Sequence, residues 1–241
     1  MAHAAVSRVG PVLGGPDTLI AALRDAVGPA GTVMAYTDWD ACYEPLLDAA
    51  GRVPDEWRGH VPPFDPAASR AIRDNGVLPE FLRTTPGALR SGSPGASVAA
   101  IGARAEWLTA DHPLDFGYGP DTPLAKLVEA RGKVAMIGAP LDTMTLLHHA
   151  EHLARVPGKR IKRVEVPFAR EGGVEWRRVE EFDTAEPVVA DLADDYFATI
   201  VEDFLATGQG QTGLVGDAMT IVVDAAAITP FAVDWIERRC R

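Results

Sequence analysis

Apolar positions along this chain recur with two different periods, and the switches between them divide it into elements. Thr18 to Val27 is an amphipathic run preceded by Gly14-Gly15-Pro16-Asp17 and followed by Gly28-Pro29, which predicts a helix with a capped start and a sharp stop. Gly31 to Tyr36 reads as a strand entering Thr37-Asp38-Trp39-Asp40. Ala41 to Asn75 is rich in Pro, Gly, Asp and Arg without periodicity, and loops of that length usually carry function or are disordered. A short helix is predicted over Gly76 to Leu82, a strand over Val98 to Ile101 and a helix over Ala103 to Leu108. His112 to Thr122 is again irregular. Pro123 to Ala130 is a helix with Pro at its start, and Lys133 to Gly138 is a continuous apolar strand. Thr143 to Val156 is a helix stopped by Pro157-Gly158. Arg160 to Phe168 and Val174 to Val179 alternate around Arg170-Glu171-Gly172-Gly173, the pattern of a hairpin. Leu192 to Ala206 is helical with Asp191 near its cap, Thr220 to Val223 is a strand, and Ile228 to Arg239 is a closing helix.

Strands thus alternate with helices, and one hairpin interrupts the alternation. The expected fold is α/β, with a mixed sheet and helices on both faces, formed by one domain over residues 1–241. In such folds ligands sit where strand ends meet helix starts.

Composition narrows the partners. The formal net charge is −11, with no basic run, which argues against nucleic acid and anionic membrane and is compatible with a cationic ligand. The same charge also serves plain solubility. No apolar run is long enough to span a bilayer, and Met1 to Val6 lacks the pattern of a secretory signal. Cys42 and Cys240 fit no zinc spacing, and a reducing cytoplasm is the expected compartment.

Candidate chemistry concentrates in the helix after Pro140. Leu146, Leu147, Ala150, Leu153 and Ala154 share one face, and His148, Glu151 and His152 share the opposite one. A carboxylate beside an imidazole stabilises the imidazolium, as a general base requires once it has taken a proton. Three readings remain open on spacing alone. The face is simply solvated, or it is a base with its carboxylate, or His148-x-x-Glu151-His152 is the H-x-x-E-H pattern of inverted zinc peptidases lacking a third ligand.

Motifs along the chain resemble the aminoglycoside N3-acetyltransferases. They run from Arg90-Ser91-Gly92-Ser93-Pro94-Gly95-Ala96-Ser97, through Gly117-Tyr118-Gly119-Pro120-Asp121-Thr122-Pro123-Leu124, to Gly132-Lys133-Val134 and Gly138-Ala139-Pro140-Leu141-Asp142. The register continues through Thr145, Leu147-His148, Ala150-Glu151 and Val156-Pro157-Gly158-Lys159-Arg160. His3 to Val6, Val9-Gly10-Pro11-Val12 and Gly14-Gly15 are similar to the family's opening loop. Trp39-Asp40, Pro63-Phe64-Asp65-Pro66 and Glu181-Phe182-Asp183 add to the resemblance.

The resemblance implies transfer of an acetyl group from acetyl-CoA to the 3-amino group of a 2-deoxystreptamine aminoglycoside, conferring resistance, without a metal. By position, His148 is the implied general base, with Glu151 orienting it and Thr145 a candidate oxyanion donor. Asp40, Glu44, Asp65, Glu181 and Asp183 are the implied ligands of the drug's ammonium groups, and His3, Ala4, Val6, Ser91, Gly92 and Ser93 lie by implication near pantetheine and thioester. The expected assembly is a monomer or homodimer.

Two departures stand out. Relatives carry Ser-x-His-Pro where this chain has Ser93 before Pro94, and they begin with a further helix and strand ahead of the His3 segment. A version extended upstream is therefore expected to give higher soluble yield and melting temperature. A zinc hydrolase built on the histidine helix, and an aminoglycoside-binding relative without activity, are the alternatives.

Overall fold

The structure is a computed structural model that describes residues 1–184, 187–189 and 192–240. Strand β1 (Ala2–Ala4) leads through a single 3-10 turn to helix α1 (Pro16–Val27), and β2 (Thr32–Tyr36) follows. The long polar segment holds only 3-10 turns and the short helix α2 (Asp55–Arg58). Then come α3 (Leu78–Thr84), β3 (Leu89–Arg90), β4 (Val98–Gly102), α4 (Ala105–Thr109), α5 (Pro123–Glu129) and β5 (Lys133–Ile137). The remainder is α6 (Leu146–Leu153), the hairpin β6 (Ile161–Arg170) and β7 (Gly173–Phe182), α7 (Tyr196–Ala206), the hairpin β8 (Gln211–Val215) and β9 (Ala218–Asp224), and α8 (Ala225–Arg239).

The α/β class and the mixed sheet hold. A four-stranded sheet has the order β1-β5-β9-β8, with β1 parallel to β5 and the other pairs antiparallel. The antiparallel trio β2-β4-β3 is a second sheet, and β6-β7 is a third. Strand alternation sorts the core into two layers, because successive side chains point to opposite faces. Met34, Val98, Ala100, Val134 and Met136 pack with the later helices α4 to α8. Val33, Ala35, Ala99, Ile101 and Ile137 pack on the other side with Leu19, Ile20, Leu78 and Leu82 of α1 and α3. Helices therefore cover both faces, as expected.

Several elements differ from the reading of the sequence. His3 and Ala4 belong to β1, paired with Met136 and Ile137, rather than to a loop. Strands β3 and β8 have no counterpart in the prediction, since one has two residues and the other is an exposed edge. The predicted helix over Thr143 to Val156 contracts to Leu146–Leu153. Leu141–Thr143 forms a 3-10 turn, Met144 leaves the helical region at ψ 86°, and Ala154 is extended at ψ 136°. Helix α7 starts at Tyr196 instead of Leu192, and the cap assigned to Asp191 lies outside the described residues. Strand β7 runs three residues beyond Val179, so Glu181 is a strand residue. Helix α8 starts at Ala225, where the Asp224 side chain accepts the Ala226 N–H at 3.0 Å. Among the described residues no helix is long and apolar enough to cross a membrane.

Candidate active site

Helix α6 presents His148 at the wall of a pocket of about 450 Å³. The His148 side chain is 25% exposed, whereas its Glu151 neighbour is 4% exposed. His148 Nδ1 lies 2.6 Å from Glu151 Oε2. A carboxylate on Nδ1 fixes the tautomer with its proton there, which leaves the Nε2 lone pair for the pocket. The ring is clamped between Tyr118, at 5.0 Å between centroids, and the edge of Phe197 at 4.9 Å. Buried His149, next along the helix, bonds the Tyr118 carbonyl through Nδ1 at 2.7 Å and so ties that tyrosine to α6. Burial holds the His149 imidazole below its usual range.

Glu151 is the main correction to the helix face inferred from spacing. It is buried rather than solvated, and Leu153, assigned to the apolar face, is 43% exposed. The second Glu151 oxygen accepts a hydrogen bond from the Tyr196 hydroxyl at the start of α7. A buried carboxylate without partners is costly, and these two donors occupy one oxygen each. His152 does not join them. Its ring sits against Phe116 and Phe182, at 5.8 and 5.0 Å, and burial lowers its pKa to about 4. The two histidines of the H-x-x-E-H pattern thus have different surroundings. Among the described residues no group of three or more His, Cys, Asp or Glu side chains is gathered to hold a metal ion.

Beyond α6 the pocket lining is acidic. Its charged lining residues are Asp38, Asp40, Glu44, Glu181 and Lys162. Lys162 Nζ is 4.0 Å from Glu44 Oε2. Burial raises the Glu181 carboxyl above the usual range, opposed by N–H donors from Phe182 and Gly117. Glu181 is carried to the pocket by β7, which is fastened to the 112–122 loop by Phe116 N–H to the Glu180 carbonyl at 2.7 Å.

Asp38 was not singled out by its sequence. It sits in the left-handed region at φ 49° and accepts the Trp39 N–H at 2.6 Å. Burial raises its pKa to about 7. Tyr36 and Tyr118 join hydroxyl to hydroxyl at 2.7 Å and also reach the Gly95 carbonyl at 3.1 and 3.0 Å. A hydrogen-bonded tyrosine pair therefore lies along the pocket and ends in the ring that packs on His148.

The Arg90–Ser97 motif is scaffolding as well as lining. Arg90 donates to the carbonyls of Asp38 and Ser69 and to Ser97 Oγ, stitching the polar loop to β4, and its burial lowers its pKa to about 10. Ser91 is fully buried, with its Oγ 3.0 Å from Val98 N and 2.9 Å from His112 Nδ1. His112, also unmarked by sequence, bonds the Gly117 carbonyl at 2.8 Å and is lowered to about 4 by burial. Ser93 lines the pocket, while Ser91 and Gly92 do not.

The remaining candidates lie elsewhere. Asp65 is a turn residue that accepts the Ala67 N–H at 2.8 Å, and it is not among the pocket-lining residues. Asp183 follows β7 outside the pocket, 3.7 Å from Arg160 Nε. His3, Ala4 and Val6 stand at the C-terminal end of β1, where Ala5 N–H bonds the Ile137 carbonyl at 3.0 Å. Burial lowers the His3 pKa to about 3. Thr145 is the buried N-cap of α6, its side chain makes no cap bond, and its carbonyl accepts the His148 N–H at 3.1 Å. None of these four lines the pocket.

Comparison with known proteins places this geometry. The sequence model of the family described as Aminoglycoside 3-N-acetyltransferase matches residues 1–237. The chain belongs to this family. Its activity class is therefore that of an acyltransferase. An aminoglycoside N(3)-acetyltransferase III of Pseudomonas aeruginosa is 47% identical, covering 99% of this chain and 87% of the relative. An aminoglycoside N(3)-acetyltransferase VIII of Streptomyces fradiae is 46% identical, with 99% and 85% covered. Among solved structures, AAC-IIIb in a binary complex with CoASH superposes with a TM-score of 0.98 at 73% identity, covering 99% of this chain and 89% of that one. AAC-VIa bound to sisomicin gives 0.92 at 37% identity, with 99% and 90% covered.

Proposed function

We propose that this chain acetylates the 3-amino group of a 2-deoxystreptamine aminoglycoside, with acetyl-CoA as donor and His148 as general base. The observation that carries this reading is the placement of a Glu151-held imidazole in the wall of a pocket lined by four carboxylate side chains, Asp38, Asp40, Glu44 and Glu181. A relative bound to sisomicin and another bound to CoASH support both co-substrates.

The physics of the two walls is complementary. An ammonium at about 4 Å from a carboxylate gains roughly 1 kcal/mol in water and about 4 kcal/mol at an effective dielectric near 20. The same carboxylates keep the amine protonated, and a protonated amine has no lone pair to attack with. The Nε2 lone pair of His148 removes that proton, and Glu151 stabilises the imidazolium that results. The amine nitrogen then bonds to the thioester carbonyl carbon. Collapse breaks the carbon–sulfur bond and releases the thiolate, which takes up a proton. The overall balance is ammonium plus acetyl thioester to amide, thiol and one proton.

The donor is assigned to the edge where parallel β1 and β5 end, with His3 and Ala4 on one strand, Val6 in the turn that follows it, and Thr145 beyond the other. Of Ser91 to Ser93, Ser93 lines the pocket. The Thr145 hydroxyl, free of a capping bond, is a candidate donor to the developing oxyanion. Acetylation removes a positive charge from the drug, which is the proposed basis of resistance. The expected compartment is the cytoplasm.

Thiol release from acetyl-CoA against a panel of aminoglycosides tests the reading. Wild-type protein should release thiol only with an acceptor present. His148→Ala should lower kcat by about 10³-fold or more while CoASH affinity stays within about twofold. Retained turnover in that variant would remove His148 as the base. Drug binding with no thiol release from the wild type would leave a binding protein instead.

A further inference from the structure

We propose that Tyr196 is a positioning residue for acetyl transfer, holding the Glu151 carboxylate in the orientation from which it fixes His148. This inference rests on the reading of His148 as the general base.

Glu151 projects from α6 into the interior, where its side chain is 4% exposed. A carboxylate there has two oxygens to satisfy and a freely turning terminal torsion. His148 Nδ1 engages Oε2 only. With that bond alone, the group could turn about its last torsion and present either oxygen, at varying angles, to the imidazole. The Tyr196 hydroxyl occupies Oε1 and removes that freedom. Two donors on two oxygens define the carboxylate plane, and the plane defines the direction of the His148 ring.

The tyrosine ring is itself held by two others. It is the first residue of α7, is 5% exposed, and packs edge-on against Phe197 at 4.8 Å. Its other side stacks on Trp235 of α8 at 6.2 Å, and Trp235 Nε1 donates to Asp203 at 2.6 Å. Phe197 in turn packs against the His148 ring. The hydroxyl and the ring clamp thus come from consecutive residues of one helix. Burial and the adjacent Glu151 charge raise the Tyr196 pKa, so the hydroxyl stays protonated and remains a donor. Tyr196 does not line the acidic pocket; with His148, Glu151 and Phe197 it lines a smaller cavity of about 130 Å³ on which His148 also opens, and its hydroxyl bonds Glu151.

Tyr196→Phe keeps the ring, its stacking and its edge contact, and removes only the donor. The expected result is a kcat about tenfold lower, with KM for both co-substrates within about twofold. The same change is then made in a Glu151→Gln background. If the hydroxyl works through the carboxylate, adding Tyr196→Phe there lowers kcat by less than about twofold. An unchanged kcat in Tyr196→Phe overturns the proposal. So does an equal loss in both backgrounds, which would make the hydroxyl independent of Glu151. A variant that melts below the assay temperature assigns the hydroxyl to stability and overturns it equally. An active His148→Ala protein would instead undo the reading of the base, so the two failures are told apart.

Discussion

The two walls of the pocket are built on opposite principles. On the α6 side, His148 is clamped between two rings and Glu151 has a partner on each oxygen. On the loop side, Glu44 is 70% exposed at its side chain, and Asp40 and Glu44 come from a polar segment with little regular structure. A group that must change protonation state within a reaction needs one fixed geometry. Groups that grip a polycation of variable shape need charge and reach, and rigidity matters less. The difference predicts that substitutions in the first wall act on kcat and those in the second on KM or Kd.

After His148 itself, the largest effect should come from Glu151. Glu151→Gln keeps the size of the side chain and removes the charge that stabilises the imidazolium. A kcat about 100-fold lower, with KM for the aminoglycoside within about threefold, is the expected outcome of steady-state thiol-release kinetics. A comparable loss located in KM would break the division between the walls.

How far each wall could be read from sequence follows from what holds it together. Lys133 to Gly138 and Val98 to Ile101 were legible because strands covered on both faces are continuous apolar runs, and β5 and β4 occupy those positions. The alternating hairpin of β6 and β7 was legible for the same local reason. Strand β1 was not, since Ala2-His3-Ala4 carries no β-branched residue and owes its conformation to pairing with β5, more than a hundred residues later in the chain. Helical spacing placed His148 and Glu151 on one face correctly but called that face polar, because the hydroxyl that permits burial of Glu151 arrives 45 residues later with Tyr196. Asp38 was invisible in a run of turn-forming residues. Its φ of 49° and its place in the pocket depend on Arg90, 52 residues away, which grips its carbonyl. Asp65 shows the reverse case, a motif carboxylate that closes its own turn.

Asp38 should give the intermediate effect and a diagnostic pH dependence. Its pKa of about 7 means that the carboxylate is charged at pH 8 and largely protonated at pH 6. Lys162 on β6 and Glu44 on its own loop act on it with opposite signs, and the Tyr36 hydroxyl and Trp39 N–H favour its charged form. If its charge attracts the drug, Kd by calorimetry without acetyl-CoA should rise about tenfold from pH 8 to pH 6, which is the change in its ionised fraction for a pKa near 7. The drug's amines gain charge over the same interval and would by themselves tighten binding, so weakening identifies the protein side. Asp38→Asn should bind about tenfold more weakly at pH 8 and lose the weakening at low pH. An Asp38→Asn protein that kept the wild-type profile would show that the titration belongs to a group other than Asp38.

Glu44 should give the smallest effect, and its smallness is informative. Its side chain is 70% exposed and stands 4.0 Å from Lys162, so solvent and a neighbouring cation both screen it. Exposed ion pairs are worth about 0–1 kcal/mol, which corresponds to at most a few-fold in affinity. Glu44→Gln should therefore raise aminoglycoside KM by about two- to threefold at low salt, leave kcat unchanged, and become indistinguishable from wild type at about 0.5 M salt. A tenfold or larger effect that survives high salt would mean that the loop closes over the acceptor and buries Glu44 against it. The loop wall would then be as ordered in the complex as the α6 wall is without one, and the contrast between them would belong to the unliganded protein alone.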